Sequence, residues 1–126
     1  QDAAPAAGSI AEQVATSLFT TEDVETMSRT AQARRIFEGL QQGTIDRSLF
    51  TSDANAYFSP QALEDFKSSL APLGRVVSFT QTRHSLRGGM VARSFEVQLS
   101  SGKVLRAWTF QTPDGKLEQY QIAPIG

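Results

Sequence analysis

The feature that most constrains the fold is a change of hydrophobic period at Gly74. Before it, apolar residues recur every three or four positions; after it, they alternate. Three turn signals divide the alternating half: Arg87-Gly88-Gly89, Ser101-Gly102 and Thr112-Pro113-Asp114-Gly115. Strands are predicted over 75–86, 90–100, 103–112 and 116–123. Loops this short join antiparallel neighbours, so the C-terminal half reads as a four-stranded meander. Helices first and an antiparallel sheet afterwards make an α+β fold.

The helical half carries its own start and stop signals. Ser9 and Glu12 have capping-box spacing, and Ile10, Val14 and Leu18 then predict a short helix over 9–18. Thr20 to Asp23 offers a second start, with Val24 and Met27 as its apolar positions. Across 28–42, Ala33, Ile36, Phe37 and Leu40 form one apolar stripe, and Gly43 stands where a left-handed C-cap residue is wanted. Residues 45–50 allow one further turn of helix. Ser59-Pro60 pairs an N-cap with proline at the first helical position. It opens a helix with Leu63, Phe66 and Leu70 on its apolar side, ended by Pro72 and Gly74. Residues 1–27 are read as a lead-in with a short helix, and 28–126 as the folded α+β domain.

Short turns fix register, and register decides which side chains are neighbours. With Ser101-Gly102 as a two-residue turn, Phe95 faces Trp108 and Arg93 faces Phe110. With Gly88-Gly89 as the turn, Arg93 faces His84 and Val91 faces Leu86. A three-residue Pro113-Asp114-Gly115 loop puts Glu118 beside Phe110, Tyr120 beside Trp108 and Ile122 beside Arg106. One face then holds Leu86, Val91, Phe95, Val97, Leu99, Val104, Trp108, Phe110, Tyr120 and Ile122. Thr109 and Gln111 join Ser94, Glu96 and Gln98 on the wet side. Val77 and Phe79 fall on the wrong parity, which predicts a bulge in the first strand.

Four polar side chains interrupt the apolar face: His84, Arg93, Arg106 and Glu118. His84, Arg93 and Glu118 fall in one row across the sheet. A cation between an imidazole and a carboxylate binds a small anion or tunes a catalytic pKa. The plainer reading pairs Arg93 with Glu118 across the strands and leaves His84 to a local hydrogen bond. Trp108 and Tyr120 are read first as core and second as a stacking platform. Tyr57 packs beside Phe58 or projects its hydroxyl into a cavity.

Composition removes several classes of function. There is no cysteine, so disulfides, zinc thiolates and thiol nucleophiles are out. A single histidine cannot build a multi-histidine metal site within one chain, and no metal or cofactor is expected. Twelve basic residues against thirteen acidic ones leave no electrostatic footprint for nucleic acid. No apolar run approaches the roughly 20 residues of a membrane span. The chain starts Gln1-Asp2-Ala3-Ala4-Pro5 without a methionine. It is read as the mature end of an exported, extracytoplasmic protein, or else as an artificial start.

Several segments together resemble the nuclear transport factor 2-like, or cystatin-like, superfamily. They are Ala33-Arg-Arg-Ile-Phe-Glu-Gly-Leu40, Phe58-Ser-Pro-Gln-Ala-Leu63, Leu70-Ala-Pro-Leu-Gly74, Ser85-Leu-Arg-Gly-Gly89 and Pro113-Asp-Gly-Lys-Leu-Glu-Gln-Tyr-Gln121. The likeness spans about residues 28–123 and points to small bacterial modules, secreted alone or appended to serine hydrolases. It implies helices packed on a curved meander in a cone, with a homodimer through the sheet as one arrangement. The resemblance implies that enzymatic members use a carboxylate base with acidic or phenolic donors in the cone, or more than one histidine with an aspartate. Here no aspartate lies on the apolar face and the chain has one histidine.

The expected function is therefore a non-catalytic accessory, ligand-holding or dimerising domain for a small anionic or amphipathic molecule. An upstream hydrolase domain is a further expected partner. The candidate binding residues are Arg93, His84, Glu118, Tyr57, Trp108, Tyr120 and Arg106. The alternative is a small isomerase, cyclase or lyase with Glu118 as base and Tyr57 or His84 as donor.

Overall fold

The computed structural model describes residues 20–125 of the 126-residue chain. The helix expected over 9–18 lies outside the described residues. Helix α1 (Thr21–Gln41) starts on a complete capping box: Asp23 N–H donates to the Thr20 hydroxyl, and Thr20 N–H donates back to the Asp23 carboxylate. The second start signal thus opens one continuous 21-residue helix, and the boundary drawn at 27/28 falls inside it. Only its C-terminal half is buried, through Ala33, Ile36, Phe37 and Leu40; Val24 and Met27 are exposed.

A 3-10 turn (Arg47–Leu49) leads to α2 (Ser52–Tyr57), capped by Thr51. Sequence reading gave no helix here, although Thr51 and Asp53 are a legible start signal. Helix α3 (Pro60–Leu70) begins at the expected Ser59 cap and passes through a 3-10 turn (Ala71–Leu73) to Gly74. Four strands follow: β1 (Val76–Arg87), β2 (Met90–Leu99), β3 (Val104–Gln111) and β4 (Leu117–Pro124). They form one antiparallel sheet in the order β1-β2-β3-β4, so the predicted meander and the α+β class are both present.

The first hairpin has the expected register. His84 pairs with Arg93 and Leu86 with Val91 around a two-residue turn whose Gly88 and Gly89 both have positive φ. The predicted bulge in β1 is also there, between Gln81 and Arg83, and it brings Phe79 to the buried side.

The second hairpin differs from expectation by one residue. Phe95 pairs with Ala107 and Arg93 with Thr109, instead of with Trp108 and Phe110. The loop is Ser100-Ser101-Gly102: Gly102 N–H donates to the Leu99 carbonyl, and Leu99 N–H to that of Lys103. A two-residue Ser101-Gly102 turn of the hairpin type would force Ser101 to positive φ. The three-residue loop places that demand on Gly102 alone, at φ 96°. A slip of one residue turns every side chain of β3 over. Leu105, Ala107, Thr109 and Gln111 are buried, while Trp108, Phe110, Val104 and Arg106 take the opposite face.

The third hairpin closes on the expected Pro113-Asp114-Gly115 loop, so Gln111 pairs with Leu117. A bulge follows, and Phe110 pairs with Gln119. Glu118 is the extra residue of that bulge and does not sit beside Phe110. Past it, Tyr120 pairs with Thr109 and Ile122 with Ala107, so Tyr120 stays on the inner face as expected.

The core lies between this inner face and the helices. Phe37 meets Phe79 edge-on with ring centroids 6.2 Å apart, and Phe79 meets Phe95 at 5.3 Å. With rings from α1, β1 and β2 filling the middle, β3 contributes a small residue, Ala107, at 0% exposure. Each fully buried Phe or Leu contributes roughly 1.5–3 kcal/mol. Tyr120 is enclosed as well, and its hydroxyl donates to the Ala33 carbonyl at 2.8 Å, tying β4 to α1. Burial pushes the Tyr120 pKa up.

Two substitutions test this construction by equilibrium unfolding. Gly102→Val must place a β-branched residue at positive φ and is expected to cost about 1–3 kcal/mol. Tyr120→Phe removes one buried hydrogen bond with its ring packing retained, for an expected loss of about 0.5–1.5 kcal/mol.

Candidate functional site

The register correction replaces the polar row inferred from sequence. The row now reads His84, Arg93, Thr109, Tyr120 across the four strands. Arg93 is 4% exposed, an arginine inside the molecule. Its Nη1 donates to Oε1 of Gln111, two residues further along β3 from its paired Thr109. Its Nη2 lies 3.8 Å from the Glu25 carboxylate of α1. The Arg29 Nε donates to the same carboxylate at 3.1 Å, and the Arg29 Nη1 reaches the Gly115 carbonyl at 3.2 Å. The overhanging half of α1 is thereby tied to the hairpin end of the sheet.

Arg93 therefore pairs with Glu25 where Glu118 was expected. His84, at the sheet's edge, has Glu22 at 3.8 Å. The signal for both was on the page in sequence: Glu22, Glu25 and Arg29 share one helical face at three- and four-residue spacing. That face becomes legible once the Thr20 start signal is continued into the helix of 28–42. Burial lowers the Arg93 pKa, and Glu25 partly opposes that effect. The hydrogen bond from Arg29, with added attraction from Arg29 and Arg93, holds the Glu25 carboxyl below its ordinary value of 4.5. Arg93 Nε and Gln81 Oε1 are both buried without a partner, a donor and an acceptor left over on adjacent strands.

Tyr57 and Glu118 come together elsewhere. A cleft of about 220 Å³ is lined by both, with Asp53 and Ala54 of α2 and residues 119–121 of β4. The α2 segment is held in place by Arg47, which donates to the Asn55 and Phe58 carbonyls, and by Thr51 N–H, which donates to Leu117. His84 and Glu118 occupy the two edge strands with two strands between them, about 14 Å apart by strand spacing. A paired His84–Glu118 acid–base couple is therefore absent.

An apolar opening lies at the other end of the sheet. It is a cleft of about 420 Å³ between α3 and the ends of β3 and β4, walled by Phe66, Leu70, Leu73, Leu105 and Ile122. Tyr57, packed edge-on against Phe58 and 59% exposed, stands at its mouth, with Asp65 and Ser69 on its lining. Sequence reading missed this cleft, because its walls come from α3, the 3-10 turn after it, β3 and β4, which only tertiary packing brings together. Trp108 and Arg106 lie together on the outer face, the guanidinium carbon 5.0 Å from the ring centroid. Among the described residues there is no cluster of three or more candidate metal ligands, and no helix is long and apolar enough to cross a membrane.

Comparison with protein-family models, with curated proteins and with solved structures finds no match to this chain.

Arg93→Ala leaves Gln111 without its partner, takes one of two guanidinium neighbours from Glu25 and removes packed stem. The expected cost is about 2–3 kcal/mol in urea unfolding, with Arg93→Met costing less because the stem's bulk remains. Because the folded pKa of Glu25 is depressed, its contribution is present above the ordinary value of 4.5 and lost as pH falls through the folded value. Asp46 and Asp114 are depressed as well, by hydrogen bonds centred on Ser48 and Thr112, and add to acid destabilisation. Glu25→Gln is expected to flatten the fall in thermal midpoint between pH of about 5 and about 3, without abolishing it.

Proposed function

We propose that this chain is a non-catalytic, ligand-holding module of the nuclear transport factor 2-like type. In this reading it belongs to an exported protein, alone or appended to a hydrolase. Its order of helices followed by an antiparallel meander supports that reading. The observation that carries the binding role is the apolar cleft between α3 and the strand ends, whose size falls within the small-ligand range.

The occupant that fits is a small amphipathic molecule. Its apolar body would lie on Leu70, Leu73, Leu105 and Ile122, with its polar end near the Tyr57 hydroxyl and Asp65. Among the described residues Asp65 is the only charged one on the lining, so a neutral or cationic polar end suits it better than an anionic one. Arg93 favours the same reading, because its fork already serves Gln111 and Glu25.

The enzymatic alternative has one observation in its favour: Tyr57 and Glu118 line a common cleft. It assigns Glu118 as base and Tyr57 as donor, and leaves His84 out.

Nile red, a neutral dye whose emission shifts in apolar surroundings, tests the binding role directly. The wild-type chain is expected to bind it saturably and to release it to long-chain alcohols. Ser69→Trp, which puts an indole on the cleft lining, is expected to weaken dye binding at least tenfold while the far-UV spectrum is preserved. Dye binding indifferent to Ser69→Trp and to Tyr57→Ala sinks the proposal.

A further inference from the structure

The one-residue slip in β3 has a consequence on the outer face of the sheet. There β2 carries small side chains, Ala92 and Ser94, between an arginine-bearing β1 and an aromatic β3. Arg83, Ser94 and Trp108 lie in one row; Ser85, Ala92 and Phe110 lie in the next, towards the hairpin tip. The result is a hollow of about 220 Å³, floored by Ala92 and Ser94 and walled by Arg83 and Arg87 on one side and Arg106 and Trp108 on the other.

Among the described residues, Arg83, Arg87 and Arg106 make no ion pair, unlike the inward Arg93. Glu96 faces Arg106 across the β2–β3 pair, yet the two form no salt bridge within 4.0 Å. Arg106 lies over the Trp108 ring instead, a contact that holds a guanidinium and an indole at the same wall. Trp108 is only half buried, so part of its surface remains open.

We infer that this hollow is a binding site for a planar aromatic anion, with the ring against Trp108 and the carboxylate or phosphate between Arg83 and Arg106. Each part follows from a separate property. Guanidinium forks match the oxygen pairs of carboxylates and phosphates. The open part of a half-buried indole gives an apolar, flat surface for a ring. The small floor leaves room for one ring and rejects a larger polycyclic body. This site is independent of the apolar cleft, so its failure would leave that reading untouched.

Trp108 is the only tryptophan of the chain, so its fluorescence reports on this hollow alone. The probes are benzoate and phenyl phosphate, with inorganic phosphate and benzyl alcohol as the ring-free and charge-free controls. Isothermal titration calorimetry repeats each titration without an optical signal. The expected result is saturable binding of an aryl anion, weakened by added salt. Benzyl alcohol and inorganic phosphate at equal ionic strength should each bind at least tenfold more weakly. Whichever of benzoate and phenyl phosphate binds more tightly identifies the anionic group.

Arg83→Ala and Arg106→Ala are each expected to weaken binding at least fivefold, and Trp108→Leu to abolish the calorimetric signal, all with an unchanged far-UV spectrum. Three results would overturn the inference. One is equal binding of benzyl alcohol and the aryl anions. Another is affinity unchanged in the Arg83→Ala, Arg106→Ala double variant. The third is a Trp108 signal that depends on protein concentration and ignores every probe, which would give this face to a second copy of the chain.

Discussion

The left-handed backbone at Gly102 decides which half of β3 faces the helices. Closing the hairpin with three residues puts the single positive φ on the one residue that tolerates it without cost. Everything downstream follows from parity. Ala107 enters the core where rings from α1, β1 and β2 already fill the space, and Trp108 goes outside. The bulge at Glu118 then returns Tyr120 to the inner side, where its hydroxyl meets the Ala33 carbonyl. Two local irregularities thus keep a sheet of uneven strands facing one helix layer.

The same constraint sorts the arginines by role. Arg93, Thr109 and Gln111 are polar residues on the buried face, where Gln111 and Glu25 engage the two Nη groups of Arg93 and Nε alone is left over. Arg83, Arg87 and Arg106 point to the open side with no such internal partner among the described residues. A buried arginine joined to the helix above it organises the fold. The exposed arginines beside the indole have no such structural tie among the described residues. The separation into inward and outward sets follows from strand register, which explains why a single displaced residue changes the functional reading of half the sheet.

Most of the fold was legible. The cap at Ser59, the stripe of Ala33, Ile36, Phe37 and Leu40, the Gly88-Gly89 turn and the β1 bulge all rest on local chemistry acting over a few residues. The site was legible in part. His84 opposite Arg93 follows from the first hairpin alone, and Tyr120 keeps its inner position. The acidic partner was expected at Glu118, because a two-residue turn at Ser101-Gly102 puts Trp108 and Phe110 inside, and a third hairpin without a bulge sets Glu118 beside Phe110. Glu25 supplies the charge from a helix, a layer that strand parity never samples.

The sequence by itself determined the elements, their order, the antiparallel meander and the absence of thiol chemistry, because these depend on period, caps, turn residues and composition. Tertiary structure alone decided which face of β3 is buried, which carboxylate meets Arg93, and where the clefts open. Those outcomes depend on the volume the helices leave above the sheet and on contacts between residues far apart in the chain. The Arg29 guanidinium reaching the Gly115 carbonyl is one such contact, and no local pattern records it.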